Sequence, residues 1–161
     1  MAVDMFLKLE GIKGEAQDKT HAEEIDVLAW SWGMSQSGTF HSGGGGGSGK
    51  ANFQDISITK YVDKSSMTLM GYIASGKHIP TATLIVRKAG GDDPLEYIKI
   101  DMTQVMVTSL STGGSGGEDK LTENISLNFA SVATYYKPQT DKGIEEAAID
   151  FIWDIAKNVS A

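Results

Sequence analysis

The chain has 161 residues, of which 40% are apolar and 22% charged, so it can form one globular domain with a hydrophobic core but is short for two. Its 14 basic and 21 acidic residues give a formal net charge of −7, which argues against nucleic-acid binding because that depends on clustered Lys and Arg. The absence of cysteine excludes disulfides and thiolate catalysis. No run approaches the roughly 18 apolar residues of a membrane span, so membrane insertion is not expected. Asp4 and the lack of a basic leader argue against a cleaved signal peptide.

Period-two alternation predicts two strands before the first glycine-rich bend. Met5, Leu7 and Leu9 share one side of the first strand. In the second strand the bulky side chains are predicted to fill a barrel interior: Asp26, Leu28, Trp30, Trp32 and Met34. The opposite face carries small or branched residues: Ile25, Val27, Ala29, Ser31 and Gly33. Because this face is almost free of charge, we expect another subunit or a guest protein to cover it.

The middle of the chain contains a predicted strand and the best helix candidate. After the bend at Gly43–Gly49, Asn52–Thr59 is predicted as a strand with Ile56 and Ile58 on one side. The segment DKSSMTLMGYIASGK predicts a helix, with Asp63 or Ser65 capping its start and Gly76 ending it. Its buried face is predicted to be apolar: Met67, Met70 and Ala74, with Ile73 beside them.

The second half of the chain is predicted to be mostly strand. Thr81–Lys88 and Leu95–Ile100 form a hairpin around AGGDDP, and Met102–Ser111 forms a further strand. After the bend at Ser111–Asp119, apolar residues alternate again: Leu121, Ile125, Leu127 and Phe129. The segment AIDFIWDIAKNVSA fits a strand or a helix, and its aromatic and branched residues favour the strand. The fold class predicted is mainly β: an antiparallel β-barrel of two curved sheets with one α-helix packed at its side.

Motifs that would indicate an enzyme or a cofactor are incomplete. Gly44–Ala51 fits G-x-x-x-x-G-K, but Ala51 replaces the Ser or Thr that a phosphate loop needs. His21, His41 and His78 lack metal-ligand spacing, and a solvated salt bridge beside Glu23 explains His21. The acidic groups are expected to be solvated turns: Glu23, Glu24 and Asp26; Asp92 and Asp93; Glu118 and Asp119. We therefore expect no enzyme, metal or cofactor.

Trp30, Trp32 and Trp153 leave one alternative function open. They could form an aromatic platform for sugar, which would make the chain a carbohydrate-binding β-module that acts as a monomer. On an alternating strand, burial in the core is the commoner role of tryptophan.

Four segments in order resemble the haemolysin-coregulated protein (Hcp) family of the bacterial type VI secretion system. They are MAVDMFLKLEGIKGE, HAEEIDVLAWSWGMSQSG, SGKHIPTATLIVRKAGG and STGGSGGEDKLTEN. The resemblance implies a β-barrel with a helix at its side, over residues 1–161 as a single domain without a fused effector domain. It also implies homohexameric rings that stack head-to-tail into the inner tube of the secretion machine. The partners implied are the chain itself, small secreted effectors in the ring lumen, and the sheath and spike proteins.

The resemblance also suggests where contacts lie. Ser31 matches the family motif on the inner wall of the ring, so Ser31 with its neighbours Ala29 and Gly33 is predicted to contact cargo. Because mobile loops gain order when a partner covers them, the glycine-rich bends are predicted to contact other subunits or rings: Gly44, Gly45, Gly113, Gly114, Glu118 and Asp119. Without a cleaved signal, we expect cytoplasmic assembly followed by secretion.

Overall fold

The computed structural model describes residues 3–38, 41, 50–88, 94–138 and 147–161. These residues form ten strands and one helix. The elements in chain order are β1 (Val3–Leu9), β2 (Ile25–Ser31), β3 (Met34–Ser35), β4 (Asn52–Phe53), β5 (Ile56–Tyr61), α1 (Ser65–Ser75), β6 (Ile79–Lys88), β7 (Glu96–Thr112), β8 (Thr122–Tyr136), β9 (Ile149–Asp154) and β10 (Val159–Ser160).

The fold is a closed antiparallel β-barrel, as predicted. A single sheet has the strand order β10-β9-β8-β5-β2-β1-β6-β7 and closes on itself because β7 also pairs with β8. Six strands thus form the barrel wall, while β9 and β10 extend outside it and β3 and β4 form a small separate sheet. The interior is filled by one apolar cluster, in which Leu7, Ile56, Leu84 and Leu127 are completely buried. The barrel is therefore packed rather than hollow.

The faces predicted for β2 are wrong in its first half. Ile25 and Val27 are buried in the core, whereas Leu28 is 38% exposed and Asp26 is also exposed. The physical reason is a β-bulge, since the pairing with β5 shifts between Val27 and Ala29 and an extra residue moves the following side chains to the opposite face.

After this bulge the prediction agrees with the structure. Trp30 and Trp32 pack against the core, and Ala29 and Ser31 are exposed. Met34, predicted to be inside, is 47% exposed because it belongs to β3, which pairs with β4 outside the barrel.

Helix α1 ends as predicted but buries a different face. Gly76 adopts the left-handed conformation, with φ of 70°, that ends the helix. The prediction of Asp63 or Ser65 as the N-cap is wrong, because Lys64 takes that position without a side-chain cap bond. Asp63 Oδ1 instead accepts a hydrogen bond from the Ser65 backbone N–H at 2.9 Å from just before the helix. Leu69 is fully buried, with Tyr72 and Ile73 packed beside it. Met67, predicted to be buried, is 68% exposed.

Polar chemistry explains which face of α1 is buried. Ser65 and Ser66 are both buried, and Ser66 Oγ donates a hydrogen bond to Glu123 Oε1 at 2.5 Å. These contacts turn the face around Ser66 and Leu69 towards the barrel. A pattern based on hydrophobicity alone could not include two serines in the buried face.

The remaining strand predictions hold with changed boundaries. The predicted strand Asn52–Thr59 is divided into β4 and β5, with Ile56 and Ile58 buried on one side of β5. The segments predicted as two strands between Leu95 and Ser111 form the continuous 17-residue β7. The C-terminal segment is strand, as favoured, because β9 pairs with the end of β8. The residues 89–93 of the predicted hairpin turn lie outside the described part of the chain.

A buried ion pair joins β5, β8 and the start of α1 at one end of the barrel. Lys60 and Glu123 face each other in the ladder between these strands and are 0% and 1% exposed. Lys60 Nζ donates to Glu123 Oε1 and also lies 3.2 Å from Asp63 Oδ1. Because β5, β8 and the residues that lead into α1 all meet at this ammonium group, it fixes both the register of the two strands and the position of α1.

Removing one member of this pair should destabilise the protein more than removing both. Lys60→Met leaves the Glu123 carboxylate buried without its cation, so we expect a loss of about 3–5 kcal/mol in the free energy of unfolding. The double variant Lys60→Met/Glu123→Leu removes both charges and should recover most of that loss. Urea unfolding of Lys60→Met, Glu123→Leu and the double variant gives the coupling free energy between the two side chains. Additive losses would show that the two charges do not depend on each other.

Candidate assembly surfaces

A neutral polar surface covers the outside of four neighbouring barrel strands. We call it the hydroxyl face, and its members, exposed except for the half-buried Thr59 and Ser126, lie on β2, β5, β8 and β7: Ser31, Ser57, Thr59, Asn124, Ser126, Asn128, Thr108 and Ser109. Alternation produces it, because the residues between these positions are apolar and buried in the barrel. Ser31 lies directly opposite Ser57 in the ladder. The predicted cargo residue is therefore one edge of a larger surface.

Side chains of the hydroxyl face hold one another in place. Thr59 Oγ1 donates to Asn124 Oδ1 at 2.7 Å, and Ser126 Oγ is 2.6 Å from the hydroxyls of Thr108 and Ser109. Asp55, at the border of the face, accepts from Thr108 and from the amide of Asn128 at 2.7 and 2.8 Å. The face thus consists of short side chains, and those on β7 and β8 and at Thr59 are bonded to one another or to Asp55.

The other predicted contact residues lie apart from Ser31. Ala29 is exposed close to it, and Gly33 is half-buried, where a Cβ would lie 3.1 Å from the Gln54 side chain. Gly44 and Gly45 lie outside the described residues. Gly113, Gly114, Glu118 and Asp119 lie in the exposed loop 113–121 between β7 and β8. Ser31 is level with Ser126, five residues along β8 from this loop, or about 17 Å.

The loop 113–121 is attached to the barrel at its second half. The Leu121 carbonyl accepts a hydrogen bond from the Val62 N–H at 2.9 Å. Gly114 lies against the Leu121 side chain so closely that an added Cβ would overlap it, whereas a Cβ on Gly113 would meet nothing within 4 Å. The carboxylates of Glu118 and Asp119 are exposed at the tip.

A third cluster secures the chain between β1 and β2 against the barrel. The His21 ring is buried and stacked on Phe6, with centroids 4.6 Å apart. Its Nδ1 lies 2.8 Å from Glu24 Oε2 and its Nε2 lies 2.7 Å from Glu96 Oε1. The expectation of a solvated His21 beside Glu23 is therefore wrong. Glu96 is 75 residues away in the chain, and nothing in the local sequence identifies it as a partner.

An arginine–aspartate pair completes this cluster. Arg87 Nη1 donates to Asp18 Oδ2 at 3.0 Å, and Nη2 also bonds Asp18. Asp18 in turn accepts from the backbone N–H groups of Thr20 and His21. The hydrogen bond from Arg87 is the main reason that the pKa of Asp18 is lowered from 3.8 to about 2. The same bond raises the pKa of Arg87.

The structure also bears on the sugar-binding alternative. Trp30, Trp32 and Trp153 pack against the apolar core, and the Trp32 indole N–H donates to the Gln54 carbonyl at 2.8 Å. An aromatic platform needs an open ring face, so these half-buried rings favour the core role. Within the described residues, no group of three or more His, Asp or Glu side chains could hold a metal ion. The helix found there is too short and too polar to cross a membrane.

The described residues thus form a filled barrel whose organised polar surfaces lie on its outside. The family model described as "Type VI secretion system effector, Hcp" matches residues 6–136. Protein hcp1 of Pseudomonas aeruginosa is 59% identical over 162 residues, which covers 100% of both chains. The chain therefore belongs to the Hcp family of the type VI secretion system.

Solved structures agree with this family. A structure described as that of a type six secretion system protein has a TM-score of 0.91 and 30% identity, covering 98% of this chain and 99% of the other. The crystal structure of Hcp1 from Salmonella typhimurium has a TM-score of 0.79 and 35% identity over 100% of both chains. The similarity therefore extends to the segments outside the barrel.

The low pKa of Asp18 predicts how stability depends on pH. The Asp18–Arg87 contribution is fully present above pH 3.8, the ordinary pKa, and is lost as pH falls towards the folded-state value of about 2. Asp18→Asn keeps an oxygen for the backbone amides but removes the charge. We expect it to cost about 1 kcal/mol at pH 7, because solvent screens this partly exposed pair. In urea unfolding from pH 7 to 2, the difference from wild type should shrink below pH 4. A difference that stays constant would contradict the assignment.

Proposed function

We propose that this chain is the tube subunit of a type VI secretion machine. Copies associate head-to-tail into hexameric rings, and the rings stack into the inner tube. The surrounding sheath drives this tube, tipped by the spike protein, out of the cell. The chain assembles in the cytoplasm and is itself exported. Small effector proteins are carried and protected in the lumen of the rings.

The observation that carries the proposal is the hydroxyl face of a chain that belongs to the Hcp family. The barrel interior is completely packed, so cargo must be held by an outer surface. The hydroxyl face has no Lys or Arg, and Asp55 at its border is already bonded to Thr108 and Asn128. Short, neutral side chains leave space and neither attract nor repel a guest protein by charge. These properties suit the inner wall of a ring.

Head-to-tail assembly is consistent with the exposed features of the barrel. The hydroxyl face, loop 113–121 and strands β9 and β10 occupy different parts of the surface and have different chemistry. A contact between two unlike surfaces is heterologous, and such a contact closes into a ring when its rotation permits. Stacking needs a second pair of unlike surfaces at the two faces of the ring.

Enlarging the side chain at position 31 should impair cargo protection without affecting the ring. Ser31→Gln adds a longer amide to an exposed position on the hydroxyl face, so the barrel core remains unchanged. We expect normal ring mass by light scattering and a several-fold lower level of a lumen-bound effector in cells, measured by immunoblot. Thr68→Gln, on the exposed side of α1, is the matched control and should leave effector levels normal. Normal effector levels in Ser31→Gln would contradict a lumen position for Ser31.

A side chain at Gly114 should affect stacking before it affects rings. Gly114→Ala displaces Leu121, which is 42% exposed and can move without disturbing the core. The matched control is Gly113→Ala, because its Cβ meets nothing within 4 Å. We expect shorter tubes by negative-stain electron microscopy for Gly114→Ala alone, with unchanged ring mass for both variants. Simultaneous loss of rings and tubes in Gly114→Ala would mean that the loop serves the fold itself.

A further inference from the structure

A groove on the outside of β7 and β8 has a chemistry that the proposed function has not yet used. Its lining includes three polar side chains, Lys50, His78 and Gln104, and three apolar ones, Met106, Phe129 and Ile155. Lys50 supplies a full positive charge, while His78 and Gln104 supply N–H donors. None of these three side chains bonds to another described residue, and none of the described residues lining the groove is acidic. In a chain with a net charge of −7, such a surface is unusual.

The backbone at Gln104 indicates that this groove is more than an incidental depression. Gln104 has a φ of 50°, a left-handed conformation that is strained for a residue with a side chain. Its neighbours Thr103 and Val105 pair on both sides, with β6 and with β8, but Gln104 is absent from both ladders. Strain that the fold maintains in mid-strand is typical of functional positions.

The acidic side chain that contacts the groove does not occupy its N–H donors. Asp55 is the acidic residue bonded to a groove-lining side chain, Asn128. Its other oxygen accepts the Thr108 hydroxyl, so Asp55 is already engaged on the hydroxyl face. Lys50, His78 and Gln104 are thus left available for an acceptor from outside the subunit.

Loop 113–121 offers the complementary chemistry. Glu118 and Asp119 are adjacent and exposed at its tip, and their carboxylates make no hydrogen bond or ion pair with other described residues. The backbone N–H of Glu118 bonds the Ser115 carbonyl at 3.3 Å, which forms a turn that presents both acids together. Two unpaired carboxylates on a projecting turn match a groove with one cation and two N–H donors.

The loop cannot reach the groove of its own subunit. Gln104 and Gly113 lie on the same extended strand region, nine residues apart, which corresponds to about 30 Å. The β7–β8 pairing continues from Ile98 to Thr112, so this segment cannot fold back. An acidic tip and a basic groove on one rigid barrel can therefore only meet between two copies.

We propose that Glu118 and Asp119 of one copy bind the groove formed by Lys50, His78 and Gln104 of a copy in the next ring. This contact rests on the proposed tube function and assigns its stacking surfaces. The two carboxylates pair with the Lys50 ammonium group and accept hydrogen bonds from His78 and Gln104. The apolar side chains of the groove pack against the loop. Because the contact joins unlike surfaces, each ring keeps a free tip and a free groove for further rings.

Cysteine cross-linking tests this contact cleanly because the chain contains no cysteine. Lys50→Cys and Asp119→Cys rings are prepared separately as full-length protein, mixed and oxidised. A disulfide forms only when the two Cα atoms approach within about 7 Å. We expect a covalent dimer on non-reducing gels at a yield at least tenfold above that of Lys19→Cys rings mixed with Asp119→Cys rings. Lys19 is exposed and lies in the segment before β2. A yield no higher than this control would overturn the proposal.

Charge reversal gives a second, independent measurement. Lys50→Glu alone and Glu118→Lys/Asp119→Lys should each shorten tubes, because like charges then meet at every ring junction. Combining all three reversals should restore tube length, whereas Lys19→Glu should have no effect. Tubes of the combined variant that are no longer than those of Lys50→Glu or of Glu118→Lys/Asp119→Lys would contradict the pairing.

Failure of this contact is distinguishable from failure of the tube function. Light scattering reports ring mass, and electron microscopy reports rings and tubes, before any variant is made. Wild-type protein that is monomeric at all concentrations would refute both proposals. Wild-type rings that stack while the cross-link and the charge reversals show no effect would refute the groove contact alone.

Discussion

Closure of the sheet by β8 is the constraint on which the rest of the molecule depends. One edge of β8 pairs with β7 from Glu123 to Tyr136, while its other edge pairs first with β5 and then with β9. Closure removes open edges that would pair without control and lets the interior be filled completely. The same strand carries the inner row of the core and the outer row of the hydroxyl face. A one-residue shift of its register would exchange the two rows, and the buried Lys60–Glu123 pair opposes such a shift.

Local irregularities then determine what the outer surface displays. The bulge between Val27 and Ala29 places Ser31 outside together with Ser57. A second irregularity, between Val107 and Ser109, leaves Thr108 and Ser109 adjacent on the outside, where both contact Ser126. These bulges convert regular strands into a continuous polar face. Bulges commonly re-aim side chains in this way at functional positions.

The sequence predicts the closed barrel, the single helix and the C-terminal strand because each depends on local periodicity or a local cap. It predicts Ser31 on an exposed face, but for Ile25 and Val27 the same argument fails because alternation carries no information about a bulge. It misjudges α1 because the two buried serines have polar partners: Ser66 bonds Lys60 on β5 and Glu123 on β8, and Ser65 bonds Asp63. It also misses the bond from His21 to Glu96, since contacts between distant segments leave no local pattern. The chemistry of single residues is thus predictable, while their partners are not.

The barrel carries unlike surfaces at separated positions, which explains how copies of one fold could form an open-ended assembly. Its acidic tip and its groove of N–H donors lie about 30 Å apart along the β7 region, so they present different chemistry at separated positions. Self-complementary patches would give closed pairs of rings, whereas unlike surfaces allow addition to continue in one direction. The exposed charges contribute little singly, but a ring would repeat each contact around its axis. In the proposed tube, contacts that are weak singly would act together to hold the rings, while each stays weak enough to separate.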